Sequence, residues 1–164
     1  MATYTFSRDS PRNTVLTDAD GNIAYKISSP FAFKNFTTTI TRANESDVVA
    51  VIHWSLLNKD KITMNGVTQN INDVFPRSKK LGTSRVYTTA AGEQFKWKYT
   101  TRLYCVSKPS DLNIATFYQS ILSGIGGRRS TLDINQSALH LSDILVATWV
   151  IMQKEWEEYS ASTS

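Results

Sequence analysis

Few side chains in this sequence stand where acid–base, nucleophilic or metal chemistry would need them. His53 and His140 are the two histidines, and neither lies in HExxH or another recognisable ligand spacing. His53 falls within an alternating β-branched run, where satisfying a local hydrogen bond is the ordinary role. His140 stands just before an apolar run and reads as part of its approach. Cys105 is the single cysteine, which excludes an internal disulfide and Cys-cluster zinc sites. It shares a strand face with Leu103 and has no patterned cationic neighbour, so it reads as a small core residue rather than a nucleophile. Asp18, Asp20 and Asn22 imitate the opening of a calcium loop. Ile23 then occupies the glycine position and Ser29 the terminal glutamate position, so a hairpin turn at Asp20-Gly21 explains them better. GIGGRR, residues 124–129, places Arg129 where a dinucleotide fingerprint wants its last glycine, and no Walker lysine follows. The reading favours a non-enzymatic protein, keeps an enzyme as a third option, and assigns no catalytic residue, metal or cofactor.

Binding chemistry is better represented. The segment PRSKKLGTSR, residues 76–85, supplies Arg77, Lys79, Lys80 and Arg85 in what reads as an exposed loop. Arg128 and Arg129 follow Gly126-Gly127, a combination of guanidinium forks and accessible backbone N–H groups suited to a phosphate. Each cluster has a plainer reading as a solvated loop. The formal charge of +4 and pI near 9.2 allow contact with anionic lipids or phosphates. There is no block of five or six like charges, and Lys and Arg are too sparse for a DNA-binding surface, so no nucleic-acid partner is expected. Tyr25, Trp54, Phe95, Trp97, Tyr99, Tyr104, Phe117 and Tyr118 include candidates for a sugar-binding platform. Their strand alternation with aliphatic neighbours favours the core instead.

The elements that must position these residues are mainly short strands, from about residue 3 to about residue 135. Ile23, Tyr25 and Ile27 alternate with Asn22, Ala24, Lys26 and Ser28, as a half-buried strand does. Phe36, Thr38 and Ile40 share a face. Val48, Ala50, Ile52 and Trp54 face one way and Val49, Val51 and His53 the other, which suggests a central strand covered on both sides. Asn65-Gly66 signals a two-residue hairpin, with the following strand running toward Val74 and Phe75. Two stretches, TDADGNIAYKI and TTAAGEQFKWKY, echo each other as strand, glycine turn and aromatic strand. About ten to twelve strands at this spacing indicate a sandwich or barrel.

Residues 142–156 are the exception. From Ile144 to Met152 only Thr148 is polar. A helix apolar on every face must be surrounded, yet this one is short of the ~20 residues a bilayer crossing needs. It reads as a helix enclosed by the sheet, capped by Ser142 and ending where Lys154, Glu155, Glu157 and Glu158 meet water, with a disordered tail over 159–164. At 164 residues the chain suits one domain, 1–164. The N-terminus lacks a secretory signal, and with a single cysteine this favours a cytoplasmic location. The Asn35, Asn44 and Asn135 sequons are then chance matches.

In order, Asp18 to Ile27, Val49 to Trp54, Ala91 to Lys98, Ile114 to Ser120 and Ile144 to Met152 resemble a fungal family of uncharacterised proteins. That family is similar in outline to the tubby C-terminal, LURP-one and phospholipid-scramblase group. The resemblance implies a closed antiparallel β-barrel of about twelve strands around a central hydrophobic C-terminal helix. It also implies a site for anionic phospholipid or phosphoinositide headgroups, with peripheral membrane contact, among the cations named above. A lectin-like or defence protein and a protein-interaction scaffold are the alternatives. Oligomeric state is not readable.

Overall fold

A computed structural model describes residues 1–30, 36–120 and 128–163. Gly126, Gly127 and the Asn35 sequon lie outside these residues. Twelve strands form one continuous sheet: β1 (Ala2–Phe6), β2 (Thr14–Thr17), β3 (Ile23–Ser28), β4 (Phe36–Arg42), β5 (Val48–Trp54), β6 (Lys61–Met64), β7 (Val67–Asn70), β8 (Arg85–Thr88), β9 (Gln94–Tyr99), β10 (Leu103–Lys108), β11 (Asn113–Tyr118) and β12 (Thr131–Ile134). A short helix α1 (Ile71–Val74) follows β7, and a 3-10 helix (Gln136–Leu141) leads into α2 (Ser142–Thr163). The strand order is β7-β6-β5-β4-β3-β2-β1-β12-β11-β10-β9-β8, and every pairing is antiparallel. The first and last strands therefore meet in the middle of the sheet, where Ala2 opposes Ile134.

The closed barrel expected from the sequence is not completed by hydrogen bonds. β7 and β8 are the two edges, and they do not pair. After Asn70 the chain enters α1 instead of the strand read toward Val74 and Phe75. The free edge of β8 is served by the connecting segment, with Val86 N donating to Pro76 O at 2.9 Å and Ser78 N to Ser84 O at 2.9 Å. A covered edge of this kind resists pairing with other chains.

The sheet wraps α2. Residues 145–153 are all buried, and nine consecutive residues at 3.6 per turn cover every face of a helix. Inward residues of the sheet, Phe6, Leu16, Ile40, Ile52, Phe95, Trp97, Leu103 and Leu132 among them, pack around it. Trp149 lies between Phe6 and Phe117, at centroid distances of 4.6 and 5.1 Å. The lone polar residue of the apolar stretch has partners: Thr148 Oγ1 accepts from Trp97 Nε1 at 2.8 Å and donates to Ile144 O at 2.7 Å. Strand β5 is interior to the sheet, third from the β7 edge, but not covered equally on both sides: Ala50 and Ile52 are buried, whereas Val49, Val51 and His53 on the other face stay partly exposed.

Several local readings are corrected. Ser142 does not cap α2; the 3-10 helix runs straight into it and Ser142 Oγ donates to Leu139 O, while Asn135 caps the 3-10 helix by accepting from Ser137 N. Helix α2 continues to Thr163 through the stretch read as a disordered tail. Asp18 is occupied by its turn, accepting from the N–H groups of Asp20 and Asn22 at 3.0 and 2.9 Å. The two echoing stretches share a turn geometry. Gly21 and Gly92 have φ of +83° and +86°, and each donates to the residue three before it, Asp18 or Thr89.

Candidate functional site

In an antiparallel meander, alternate connections fall at the same end of the sheet. The end from which α2 emerges is marked by Trp156 stacked on Tyr99 and by Lys154 over the Trp54 ring at 4.6 Å. The connections at that end carry Arg8 and Arg12, then Lys59, then Arg77, Lys79 and Lys80, then Arg102, then Arg128 and Arg129. At the opposite end the connections 18–22, 43–47, 65–66, 89–93 and 109–112 contain Asp18, Asp20, Glu45, Asp47, Glu93 and Asp111, without one Lys or Arg. Among the described residues the loop cations are thus confined to one end, where they outnumber Asp9, Asp60 and Asp73 of the same connections and Glu155, Glu157 and Glu158 of the emerging helix. The cations at the acidic end are strand-borne and paired: Arg42 with Asp47 at 2.7 Å and with Asp143, and Lys108 with Asp111 at 2.6 Å. Lys108 holds the Asp111 carboxyl below its usual value by that hydrogen bond.

At the cationic end the loop tips also bear leucines. Leu56 and Leu57 in the β5–β6 connection are 82% and 95% exposed, and Leu81 in the α1–β8 connection is 96% exposed. Leu56 and Leu57 share their connection with Lys59, and Leu81 its own with Lys79 and Lys80, so the most exposed leucines stand beside cations; at the opposite end Leu112 and Val67 are 68% and 56% exposed. The positive field continues down the flank. Lys96 has its pKa lowered, first by partial desolvation and then by Lys98, Lys108 and Lys79.

Of the residues proposed from sequence, Arg77, Lys79, Lys80, Arg128 and Arg129 lie in connections at this one end. Arg77 donates to Gly82 O at 3.4 Å, which draws its loop together. Arg85 has a different place. It is 4% exposed and its guanidinium donates to Phe75 O at 2.7 Å, to Asn72 Oδ1 at 3.0 Å and to the Glu155 carboxylate at 2.7–3.2 Å. Those bonds consume its donors, so it fastens the β7–β8 seam to α2 instead of facing outward. Arg8, Arg12, Lys59, Arg102 and the three leucines were not singled out from sequence. The signal was present in the parity of the connections, which becomes visible only once every strand is placed.

Between the loops and the helix lies a cavity of about 210 Å³ lined by Arg12, Ser29, Phe36, Thr38, Trp54, Ser55, Leu56, Asp60, Lys154 and Glu158. An adjoining one of about 250 Å³ is shared by Trp54, Asp60, Asn72, Arg77, Arg85, Lys154 and Glu155. Among the described residues neither lining contains a His or Cys. His53 Nε2 is 3.2 Å from Thr63 Oγ1, and His140 pairs with Glu93 at 2.9 Å at the far end. Burial pushes the Cys105 thiol well up, which keeps it unreactive. Among the described residues no group of three His, Cys, Asp or Glu side chains could hold a metal, and no helix is long and apolar enough to cross a membrane.

Comparison with known proteins agrees with this architecture. The solved X-ray structure of protein AT5G01750 from Arabidopsis thaliana has 13% sequence identity, with 93% of this chain and 90% of that one covered and a TM-score of 0.55. At that identity the likeness concerns the fold alone. No curated protein matches the sequence. A family described as being of unknown function, DUF6593, matches residues 9–158, nearly the whole length, and the chain belongs to it.

Proposed function

We propose that this protein is a non-enzymatic binding protein that docks end-on onto an anionic membrane surface. The supporting observation is the confinement of the loop cations to one end, where they outnumber the carboxylates, combined with Leu56, Leu57 and Leu81 at the tips of the cationic loops. Basic residues near an anionic leaflet contribute about 1 kcal/mol each. Leucines entering the headgroup boundary add a term that salt does not screen. The carboxylates at the far end then point away from the membrane, so the molecule has one electrostatically favoured orientation. Arg77, Lys79, Lys80, Arg128 and Arg129 hold headgroups in this reading, and Arg85 keeps the platform in shape.

Co-sedimentation with phosphatidylcholine vesicles, with and without about 20 mol% phosphatidylserine, tests it. The expected result is binding to the anionic vesicles alone, weakened by salt, and weakened roughly tenfold by the pair Lys79→Glu and Lys80→Glu. The triple change of Leu56, Leu57 and Leu81 to Ser should remove the part of the binding that survives high salt. Equal binding to neutral vesicles, or none to either kind, would overturn the proposal.

A further inference from the structure

The smaller cavity beside Trp54 has features that a loose electrostatic platform does not require. Its apolar walls are Phe36, Trp54 and Leu56, and its polar walls are held in place by an ordered chain of hydrogen bonds. Ser29 Oγ spends its one proton on Arg12 O at 2.8 Å. The 2.8 Å contact between Thr38 and Ser29 is then a donation from Thr38, and Thr38 in turn accepts from Trp54 Nε1 at 2.9 Å. The direction runs from indole to threonine to serine to the Arg12 carbonyl, which fixes the ring and the loop together before any ligand arrives. Prebuilt walls of this kind reduce the ordering cost of binding.

The charges around the cavity are unequal in their freedom. Lys154 is engaged with Glu158 and with the Trp54 ring, and the Asp60 carboxylate accepts the Ser55 N–H at 2.8 Å. The Arg12 guanidinium makes no hydrogen bond or ion pair among the described residues. Glu157 is close enough for Arg12 to lower its pKa, against a larger raising by burial, but the two form no ion pair. An apolar slot with one unspent guanidinium at its wall complements a molecule with an apolar body and a single carboxylate, which a guanidinium grips through two parallel hydrogen bonds. The size limits the body. At about 30 Å³ per water-sized group, 210 Å³ admits on the order of seven such groups.

We propose that this cavity binds a small amphipathic monocarboxylate, its chain or ring against Trp54 and Phe36 and its carboxylate on Arg12. The site shares Arg12 and Leu56 with the membrane-facing end, but its ligand is a free acid bound in the cavity and not a vesicle surface. Isothermal titration of the full chain with octanoate, 1-octanol and octylammonium, all below their aggregation limits, tests it. Octanoate should bind saturably at one site, and the alcohol and the amine at least about tenfold more weakly. Arg12→Gln should bring octanoate down to the level of octanol, and Ser29→Leu, which fills the slot, should abolish both. Absence of saturable octanoate binding to the folded wild-type chain would overturn the proposal, as would undiminished binding by Arg12→Gln. Ser29→Leu that loses octanoate yet still sediments with anionic vesicles supports a site for the free acid, whereas a vesicle-only ligand would leave the octanoate titration flat and refute it.

Discussion

Arg85 illustrates how a cation in a segment read as a loop can be taken up by the fold: it begins β8 and is buried. It closes a cation-rich segment, so composition assigns it to a ligand, but its partner Glu155 lies 70 residues away and only the folded chain brings the two together. A buried pair of this kind is costly to break from one side, because the surviving charge is left without a partner. Arg85→Ala is expected to lower unfolding free energy by about 3–5 kcal/mol in urea titration, while vesicle binding at a temperature where it remains folded stays close to wild type. At the other end, burial and then a 2.6 Å hydrogen bond to Asp143 hold the Tyr25 hydroxyl well above its ordinary pKa. A raised pKa favours the protonated form in the folded state. The stabilisation is therefore complete below pH ~10, where an unfolded tyrosine ionises, and is lost as pH climbs past it. Tyr25→Phe should cost about 1–3 kcal/mol at neutral pH and flatten the alkaline limb of the stability curve; an unchanged alkaline limb would sink this account.

Among the elements, α2 was the most legible, because a run apolar on every face has few places to go. Its ends were not legible. The 3-10 turn before it displaces the expected cap, and its last turns carry charges that read as coil although Tyr159 packs near Tyr99. Helix α1, four residues long, has too little period to be told from the end of a strand. Two truncations separate the parts of α2. Removing residues 142–164 is expected to prevent folding, and a soluble truncate with native near-UV circular dichroism would refute that. Removing residues 160–164, of which the described 160–163 are exposed, should shift stability by no more than about 0.5 kcal/mol.

At the scale of the whole molecule, alternation and turn residues indicated ten to twelve strands and the apolar run an enclosed helix, while the twelve-stranded antiparallel arrangement was what the family resemblance implied. They did not reveal that the sheet stops short of closure, since the interruption at β7–β8 depends on α1 and Pro76. Nor did they reveal the confinement of the loop cations to one end, because the net value of +4 averages two unlike ends. Oriented docking makes a prediction that net charge alone does not. Asp20→Asn, Glu45→Gln and Asp111→Asn together remove three carboxylates from the acidic end and raise the formal charge from +4 to +7. Vesicle affinity measured by co-sedimentation should nevertheless stay within about twofold, since exposed charges farther than a Debye length from the contact are screened. A severalfold gain would mean that overall charge, not the arrangement of the loops, governs attachment.

The meeting of β1 with β12 at the centre of the sheet also sets a timetable. The first strand to leave the ribosome must wait for nearly the last, and the helix that fills the interior is made after every strand that surrounds it. During synthesis the inward faces of β2 to β7 have no core to cover them, and a pairing so distant in sequence is slow to form. The nascent chain is therefore most vulnerable to aggregation until α2 has been made. Final folding waits for that helix, around which the two halves of the sheet then pack.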